Sequence, residues 1–593
     1  MSDAPPASTL QDVSSGLRRS ETRQIFFVSW RRQRIVRAAE ALQFDARLKA
    51  LFHSAFSWKP IMSKAVETYL HSLSEKRNTG ATTKERSYYG ALENLLATVG
   101  ATLTPKVLVV SELQGPDHPD FGLFTQAQSR GNKDLKGQKP ERGVVEVKST
   151  GEEVSFTSKS KQVSKYWEAH RLVLVTNYRD FLLVGEDDQG QMTALEDFRL
   201  APSEAAFWQL ASNPAKAAET IGPRLEEYLR RVLSFKARIR DPKDIAWFLA
   251  SYARDALNRV EEQPKLPALA AVRRDLEDAL GIEFKGAKGE HFFRSTLVQT
   301  LFYGLFSAWV LWARGRKNTK DKFNWHETQW LLDLHIIRAL FEKIASTTHL
   351  TPLRLNEVLD WAGNALNRVE ADAFFQKFNE TQAVQYFYEP FLEAYDPLLR
   401  KELGVWYTPH EVVEYMVARV DRVLRDELKV KDGLANPDVV VLDPCTGTGS
   451  FMVEVLRRIK LTLDEKGIDL PELEVKKAAK ERVFGFEIMP APFVVAHLQI
   501  GLHLKSIGAP LETATERAQV YLTNALTGWE PPDEKKQKVL PSIEFQEERA
   551  AADRVKQKEK ILVIIGNPPY NGFAGIAIDE ERTLSDAYRE VTR

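Results

Sequence analysis

The sequence holds a single cysteine, Cys445, among its 593 residues. That excludes an intrachain disulfide framework and fits a reducing cytoplasm. Charge of one sign is also missing in excess, because 82 Lys and Arg face 82 Asp and Glu. A nucleic-acid partner must then be argued from local sites, since there is no overall basic footprint. Long apolar runs that could span a membrane are scarce. The nearest, Leu297 to Ala313, is slightly short and contains Gln299, Thr300, Gly304 and Ser307, so it reads as a buried core helix. Met1 to Ser20 is polar and lacks the apolar core of a signal peptide. The phosphate-loop pattern G-x-x-x-x-G-K-[ST] is absent, so this chain encodes no ATP motor.

At this length several domains are expected. Residues 1–25 read as a disordered tail, and Arg31 to Val99 has a helical pattern. In Lys84 to Leu96, residues Tyr88, Leu92, Leu95 and Leu96 fall on one helical face. Glu85 and Glu93 are either solvated there or one turns inward as an extra metal ligand, Glu93 before Glu85.

Short strand signals follow at Val107 to Leu113, Asp120 to Phe124, Gly143 to Ser149 and Arg171 to Tyr178, and Asp180 to Gly185 suits a hairpin partner. In Val144 to Lys148, alternation puts Glu146 and Lys148 on one face, opposite Val145 and Val147. With Asp120 from a neighbouring strand they make a hard-cation site with a charged helper, the parts that phosphodiester hydrolysis needs. A strand with a solvated charged face has the same pattern, and E-x-K alone is weak. The loop Gln128 to Arg142 carries Arg130, Lys133, Lys136, Lys139 and Arg142, which reads as phosphate contacts or as a solvated hairpin loop.

In order along the chain stand Pro119-Asp120, Glu146-x-Lys148 and a helix with Gln162 and Tyr166 one turn apart. This resembles the PD-(D/E)xK nuclease fold, in its variant with a Q-x-x-x-Y helix. The resemblance implies Asp120 and Glu146 as ligands of Mg²⁺ and Lys148 as the catalytic lysine. It also implies that Gln162 and Tyr166 contact DNA or support the site.

From Ser203 to Lys401 the pattern is nearly all helix, read as a spacer between two catalytic parts. Asp255, Glu290, His291 and Arg294 stand near apolar runs there, and capping or ion-pair roles suit them better than catalysis.

The last domain opens on Tyr407-Thr408-Pro409, with Thr408 expected as a helix cap and Pro409 in the first turn. Val439 to Leu442 reads as a buried parallel strand, followed by Asp443-Pro444-Cys445-Thr446-Gly447-Thr448-Gly449-Ser450-Phe451 and a helix. Gly447 and Gly449 let a ligand approach the backbone, and a helix N-terminus offers unpaired N–H groups. An ordinary tight strand-to-helix turn would also fit the glycines alone. Cys445 lies within this loop as a small packing residue rather than a nucleophile. A second strand ends at Glu487, where an acid would meet ribose hydroxyls. A third strand leads to Asn524, and residues Glu530 to Lys560 read as a polar excursion with a helix. Ile561 to Gly566 is β-branched and ends in Asn567-Pro568-Pro569-Tyr570. Two prolines leave carbonyls without competing N–H groups, Asn adds an acceptor, and the Tyr ring offers a stacking surface.

The order Y-T-P, glycine loop, N-P-P-Y resembles the adenine-N6 DNA methyltransferases that use S-adenosylmethionine. The resemblance implies that Tyr407, Thr408 and Pro409 border the methionine end of the cofactor. Asp443, Thr446, Gly447 and Gly449 would cradle it, and Glu487 would hold its ribose. Asn524 stands near its adenine where the family usually has Asp, so that contact keeps an acceptor and loses a charge. Asn567 and the Pro568 carbonyl would orient the target amino group, with Pro569 and Tyr570 completing the motif and Tyr570 stacking on a flipped base. The same motif serves enzymes acting on RNA or protein glutamine; the nuclease-like part points to double-stranded DNA.

The whole chain therefore resembles a single-chain restriction–modification enzyme of the type IIG or type I single-polypeptide class. The expected fold class is α/β multidomain: a disordered tail (1–25), a restriction-endonuclease-like α/β domain (26–202), an all-α spacer (203–400) and a Rossmann-like methyltransferase domain (401–593). Arg593 follows soon after the N-P-P-Y motif, so later strands and a target-recognition domain are expected from a downstream region or a second polypeptide. The 593 residues alone are then expected to methylate poorly. Two rival readings are a methyltransferase with an inactive, DNA-gripping nuclease-like domain, and a non-catalytic DNA-binding subunit of an antiviral defence complex.

Overall fold

Short β-branched runs separated by polar turns build two sheets, and three-and-four-spaced apolar residues build the helices around them. The computed structural model describes residues 59–569 except 81–84, 112, 114–118, 131–133, 188, 264, 266, 281–282, 317, 319–320, 333–334, 379–386, 397–407, 513–515 and 530–542. The expected tail at 1–25, Tyr407 and Tyr570 lie outside the described residues.

Helices α1 (Lys59–Asn78) and α2 (Tyr89–Ala101) precede a six-stranded sheet. Its strands are β1 (Val107–Ser111), β2 (Phe121–Thr125), β3 (Val144–Val147), β4 (Val173–Thr176), β5 (Asp180–Glu186) and β6 (Met192–Arg199), paired in sequence order. All pairs are antiparallel except β3 with β4. That parallel pair needs a crossover, which α3 (Lys161–His170) supplies. Ser160 caps α3 by accepting from the Val163 N–H. One sheet face, with Val145, Val147 and Leu174, packs on α1 and α2; the other, with Val144, Val173 and Val175, packs on Val163 and Tyr166 of α3. β6 was not legible in the sequence. Met192-Thr-Ala-Leu-Glu-Asp-Phe-Arg is rich in helix formers, and pairing with β5 through a bulge after Leu183 makes it a strand.

One boundary differs from the expectation. The helical pattern of the sequence puts helices Glu204–Ala211, Pro214–Thr220 and α4 (Gly222–Leu233) in the spacer. Phe207, Trp208, Leu225, Tyr228 and Val232 instead share the core of Val145 and Leu174. Periodicity shows which helix face is apolar but not which neighbour covers it.

The helical region continues with α5 (Pro242–Glu261), α6 (Gly286–Gly315) and α7 (Leu355–Asn367). α6 is long and apolar enough to cross a membrane, yet 83% of its apolar window is buried within the protein. The polar residues near these runs form ion pairs. Glu290 meets Arg273 at 2.5 Å and Arg294 at 2.7 Å, and Asp255 meets Arg259 at 3.4 Å.

His291 bridges Glu261 (2.7 Å) and Asp396 (3.0 Å), tying the start of α6 to the end of α5. These two hydrogen bonds raise its pKa to about 10, against the opposing effect of burial. A folded-state pKa above the unfolded one gives stability that is full below about pH 6.5 and is lost as pH rises toward the folded pKa. Thermal unfolding of the wild type should therefore fall between pH 7 and 10 more steeply than that of His291→Gln; equal slopes would count against this bridge.

The second sheet is fully parallel. Helix α8 (His410–Asp426) leads to β7 (Val440–Asp443), α9 (Ser450–Glu465), α10 (Pro471–Glu481), β8 (Val483–Glu487), α11 (Pro490–Ser506), β9 (Gln519–Leu522), α12 (Ile543–Lys558) and β10 (Ile561–Ile564). The strand order is β10-β7-β8-β9. Chain order therefore reverses between β7 and β10, which opens a crevice beyond their carboxyl ends. α6 packs on α11, and the helical region and this domain share one hydrophobic core.

Candidate functional site

The first cluster of chemistry-bearing residues lies where β2 begins and β3 ends. Alternation along β3 directs Glu146 to the face that α3 covers, and Glu146 is only 1% exposed. That rules out a solvated strand face. Lys148 Nζ donates to Glu146 Oε1. Burial pushes the Glu146 pKa up to about 7, with Asp120 and Glu85 adding to the rise and Lys148 opposing it. Burial also works against the Lys148 ammonium, but Glu146, Glu85 and Asp120 outweigh it and raise its pKa. Asp120 accepts from Tyr89 Oη at 2.5 Å and from the Val147 N–H at 2.7 Å. The donor set is carboxylate oxygen, which suits a hard cation. Among the described residues no group of three or more His, Cys, Asp or Glu is arranged to hold a metal ion.

The two flanking glutamates are placed differently from the expectation. Glu93 accepts from Ser111 Oγ at 3.0 Å. Glu85 is the one coupled to Glu146 and Lys148, and its backbone carbonyl is held by Tyr178 Oη at 2.6 Å. Glu85 precedes a short 3₁₀ turn (Arg86–Tyr88), and α2 begins only at Tyr89, so the two glutamates do not share one helix face. Gln162 Nε2 donates to Tyr166 Oη at 3.1 Å, and Tyr166 feels the charges of Glu146, Asp120 and Lys148. Sequence reasoning missed Tyr89, whose hydroxyl also reaches Glu85 at 3.5 Å. Nothing in local spacing separates it from the core tyrosines beside it. Of the basic loop, Arg142 is 6% exposed and Lys133 lies outside the described residues.

The second cluster occupies the crevice between β7 and β10. Gly449 has φ 92°, and a Cβ there would sit 3.2 Å from Ala496, so α11 approaches the loop closely. Gly447 has φ 55°, and a Cβ there would meet nothing nearer than the Cys445 carbonyl at 4.0 Å. The loop is thus closed on the Gly449 side and open above Gly447. Glu487 ends β8 and accepts the Gly447 N–H at 2.7 Å and the Met489 N–H at 2.8 Å. Burial raises its pKa and these N–H groups oppose the rise. Thr446 ties β7 to β8: its N–H meets the Phe486 carbonyl at 2.9 Å and its hydroxyl the Asp443 carbonyl at 3.1 Å.

Asp443 is wholly buried. Its Oδ1 accepts the Cys445 N–H at 3.1 Å, and its Oδ2 has no hydrogen-bond partner among the described residues. Burial pushes its pKa up to about 8, which the Cys445 N–H opposes and Glu487 reinforces. A buried acceptor of this kind is a place for a ligand donor. Burial, with Asp443 and Glu487 nearby, pushes the Cys445 thiol up to about 12, so it is not a nucleophile at neutral pH. Gly566 follows β10, and a Cβ there would lie 2.5 Å from Asp443 Oδ1.

Asn567 comes next and donates from Nδ2 to Thr408 Oγ1 at 3.0 Å. Thr408 is therefore not the expected helix cap. Pro409 occupies that position and accepts the Val412 and Val413 N–H groups, while the Thr408 hydroxyl is turned to Asn567. Asn524 is buried beyond β9, and its Oδ1 accepts the Leu526 N–H at 2.9 Å. Pro568 and Pro569 continue from Asn567 at the same end of the sheet.

A family model described as N-6 DNA Methylase matches residues 379–591. No curated protein matches the chain. Among solved structures, a cryo-EM structure of a DrdV–DNA complex is similar at 19% identity and a TM-score of 0.40, over 89% of this chain and 46% of that one. The ATP-dependent Type ISP restriction–modification enzyme LlaBIII bound to DNA is similar at 19% identity and a TM-score of 0.40, over 65% of this chain and 24% of that one. The type IIG restriction endonuclease BpuSI is similar at 13% identity and a TM-score of 0.25, over 85% of this chain and 46% of that one. The chain thus spans less than half the length of each of these structures. Residues 379–591 are thus similar to the N-6 DNA Methylase family.

Proposed function

We propose that this chain is the nuclease and methylase part of a restriction–modification enzyme, which methylates adenine N6 in a specific DNA sequence and cleaves DNA that lacks the mark. The observation that carries the methylase half is the meeting of the glycine loop with Thr408 and Asn567 at the carboxyl ends of β7 and β10. The strand order supports a Rossmann-like reading of this domain.

The residues present fit S-adenosylmethionine. When bound, it supplies a methyl group on a positively charged sulfur. The open space above Gly447 and the partnerless Asp443 Oδ2 suit a polar ligand laid along the loop. Glu487 accepts the backbone N–H groups of Gly447, Ile488 and Met489 and keeps acceptor capacity for a ribose hydroxyl. Asn567, held by Thr408 at its nitrogen end, presents its carbonyl end with the Pro568 carbonyl to the target amino group. Thr408 and Pro409 border the methionine end and Asn524 the adenine; Tyr407 and Tyr570, which the motifs assign to the methionine end and to a flipped base, lie outside the described residues. These groups align nitrogen, methyl and sulfur, which this transfer needs more than proton shuttling. Transfer of labelled methyl groups to adenine N6 of duplex DNA tests this half.

The nuclease half rests on Asp120, Glu146 and Lys148 converging at one end of the sheet. Mg²⁺, when bound by Asp120 and Glu146, supplies a Lewis acid to a phosphoryl oxygen. Lys148 keeps its proton and orients the attacking water, with Gln162 and Tyr166 beside the DNA and Glu93 supporting the site from α2 through Ser111. A domain that grips DNA without cutting it is the rival reading. Lys148→Ala should lower Mg²⁺-dependent plasmid cleavage by about 10²-fold or more. Absence of cleavage by the wild type would leave the gripping role.

A further inference from the structure

Helix α12 lies in the stretch that composition marks as a polar excursion. Two of its charged side chains are nevertheless buried, with Glu548 4% and Lys556 5% exposed. Among the described residues β9 is the outer strand of its sheet, so one row of its backbone groups meets no neighbouring strand there. α12 supplies partners there. Glu548 Oε1 accepts the Leu522 N–H at 2.9 Å, and its two oxygens hold Arg517 at 2.6 and 3.1 Å. Arg517 in turn donates to the Val520 carbonyl.

Two turns farther along α12, Lys556 Nζ donates to Thr523 Oγ1 at 2.8 Å and to the Asn524 carbonyl at 2.9 Å. Asp553 lies 3.9 Å away, and the Phe486 ring 5.2 Å away. The following turn is held by the same helix, because Gln557 Nε2 donates to the Gly528 carbonyl at 3.2 Å. A buried ammonium is tolerated only while its donors are satisfied, so the place of Lys556 and the course of Thr523–Asn524 are coupled.

We propose that Lys556 is a positioning residue for the cofactor site. Through Thr523 and Asn524 it sets the turn at the carboxyl end of β9. The inference rests on the reading of that turn as the border of the S-adenosylmethionine adenine. Losing the ammonium removes a charge-assisted hydrogen bond to each of two buried acceptors, and the Asn524 side chain then loses its fixed place.

The test is calorimetric titration of the 593-residue chain with S-adenosylmethionine, in wild type, Lys556→Met and Lys556→Arg, together with hydrogen exchange. Binding to Lys556→Met should weaken about 10-fold or more, with partial recovery in Lys556→Arg. Exchange should rise in residues 519–529 and stay unchanged in the glycine loop 443–451. Binding within about twofold of wild type, or unchanged exchange at 519–529, overturns the inference. Should Lys556→Met fail to fold, Thr523→Val removes a single acceptor and is read the same way, with unchanged binding again overturning it. A wild-type chain that does not bind S-adenosylmethionine overturns the cofactor reading itself, which separates the two failures.

Discussion

Replacing Asn567 by alanine is expected to lower the rate of adenine methylation by about 10²-fold or more while leaving S-adenosylmethionine binding close to wild type. The split follows from where each group is mounted. The proposed cofactor cradle belongs to β7 and β8, through Asp443, Gly447, Gly449 and Glu487. Asn567 belongs to β10, and its Nδ2 is held by Thr408 at 3.0 Å. Alanine removes the acceptor that orients the target nitrogen and leaves the cradle intact. An interaction made at the reacting centre shows in kcat rather than in cofactor affinity. Thr408→Val, which removes the hydroxyl that accepts from Asn567 Nδ2, should give a smaller loss of methylation in the same direction. The measurements are labelled methyl incorporation into duplex DNA by the full-length protein and calorimetric cofactor titration. Methylation by Asn567→Ala within a few-fold of wild type would sink the assignment.

Glu196→Ala is expected to destabilise the protein by about 3–5 kcal/mol. Glu196 on β6 is 1% exposed and faces Arg231 of α4, 4% exposed, at 3.0 Å between Oε2 and Nε. Tyr252 of α5 donates to the other oxygen at 2.6 Å, and Arg231 also reaches Ser251 at 2.7 Å. The network therefore joins the six-stranded sheet to the helical region. Alanine would strand a buried guanidinium without its counter-charge, the costly way to break such a pair. Glu196→Gln keeps an acceptor for Tyr252 and should cost less. Urea unfolding followed by circular dichroism measures the difference; a loss under about 1 kcal/mol would show that the pair is dispensable.

Much of the candidate chemistry was legible because it depends on short-range geometry. Alternation alone put Glu146 and Lys148 on one strand face, and the structure brings them into contact. Two glycines two residues apart marked the loop, and both take up positive φ. Other features were not legible because they depend on breaks in local order. Glu85 and Glu93 look equivalent on a continuous helix, but the 3₁₀ turn before Tyr89 sends Glu85 toward Glu146. β6 looks helical in composition and becomes a strand by pairing. Thr408 looks like a cap, and its hydroxyl is claimed by a residue 159 positions away.

By itself the sequence determined most of the strands, the two acidic ones among them, the glycine loop and the Asn-Pro-Pro segment after β10. Each of these is specified within a few residues by side-chain period, backbone freedom and missing N–H groups. Only the tertiary structure decided that Glu146 is buried, that helices Glu204–Leu233 belong to the first sheet, and that Lys556 holds the turn at Asn524. Those outcomes depend on which surface each element finds to cover it, and the partners lie far away in the chain.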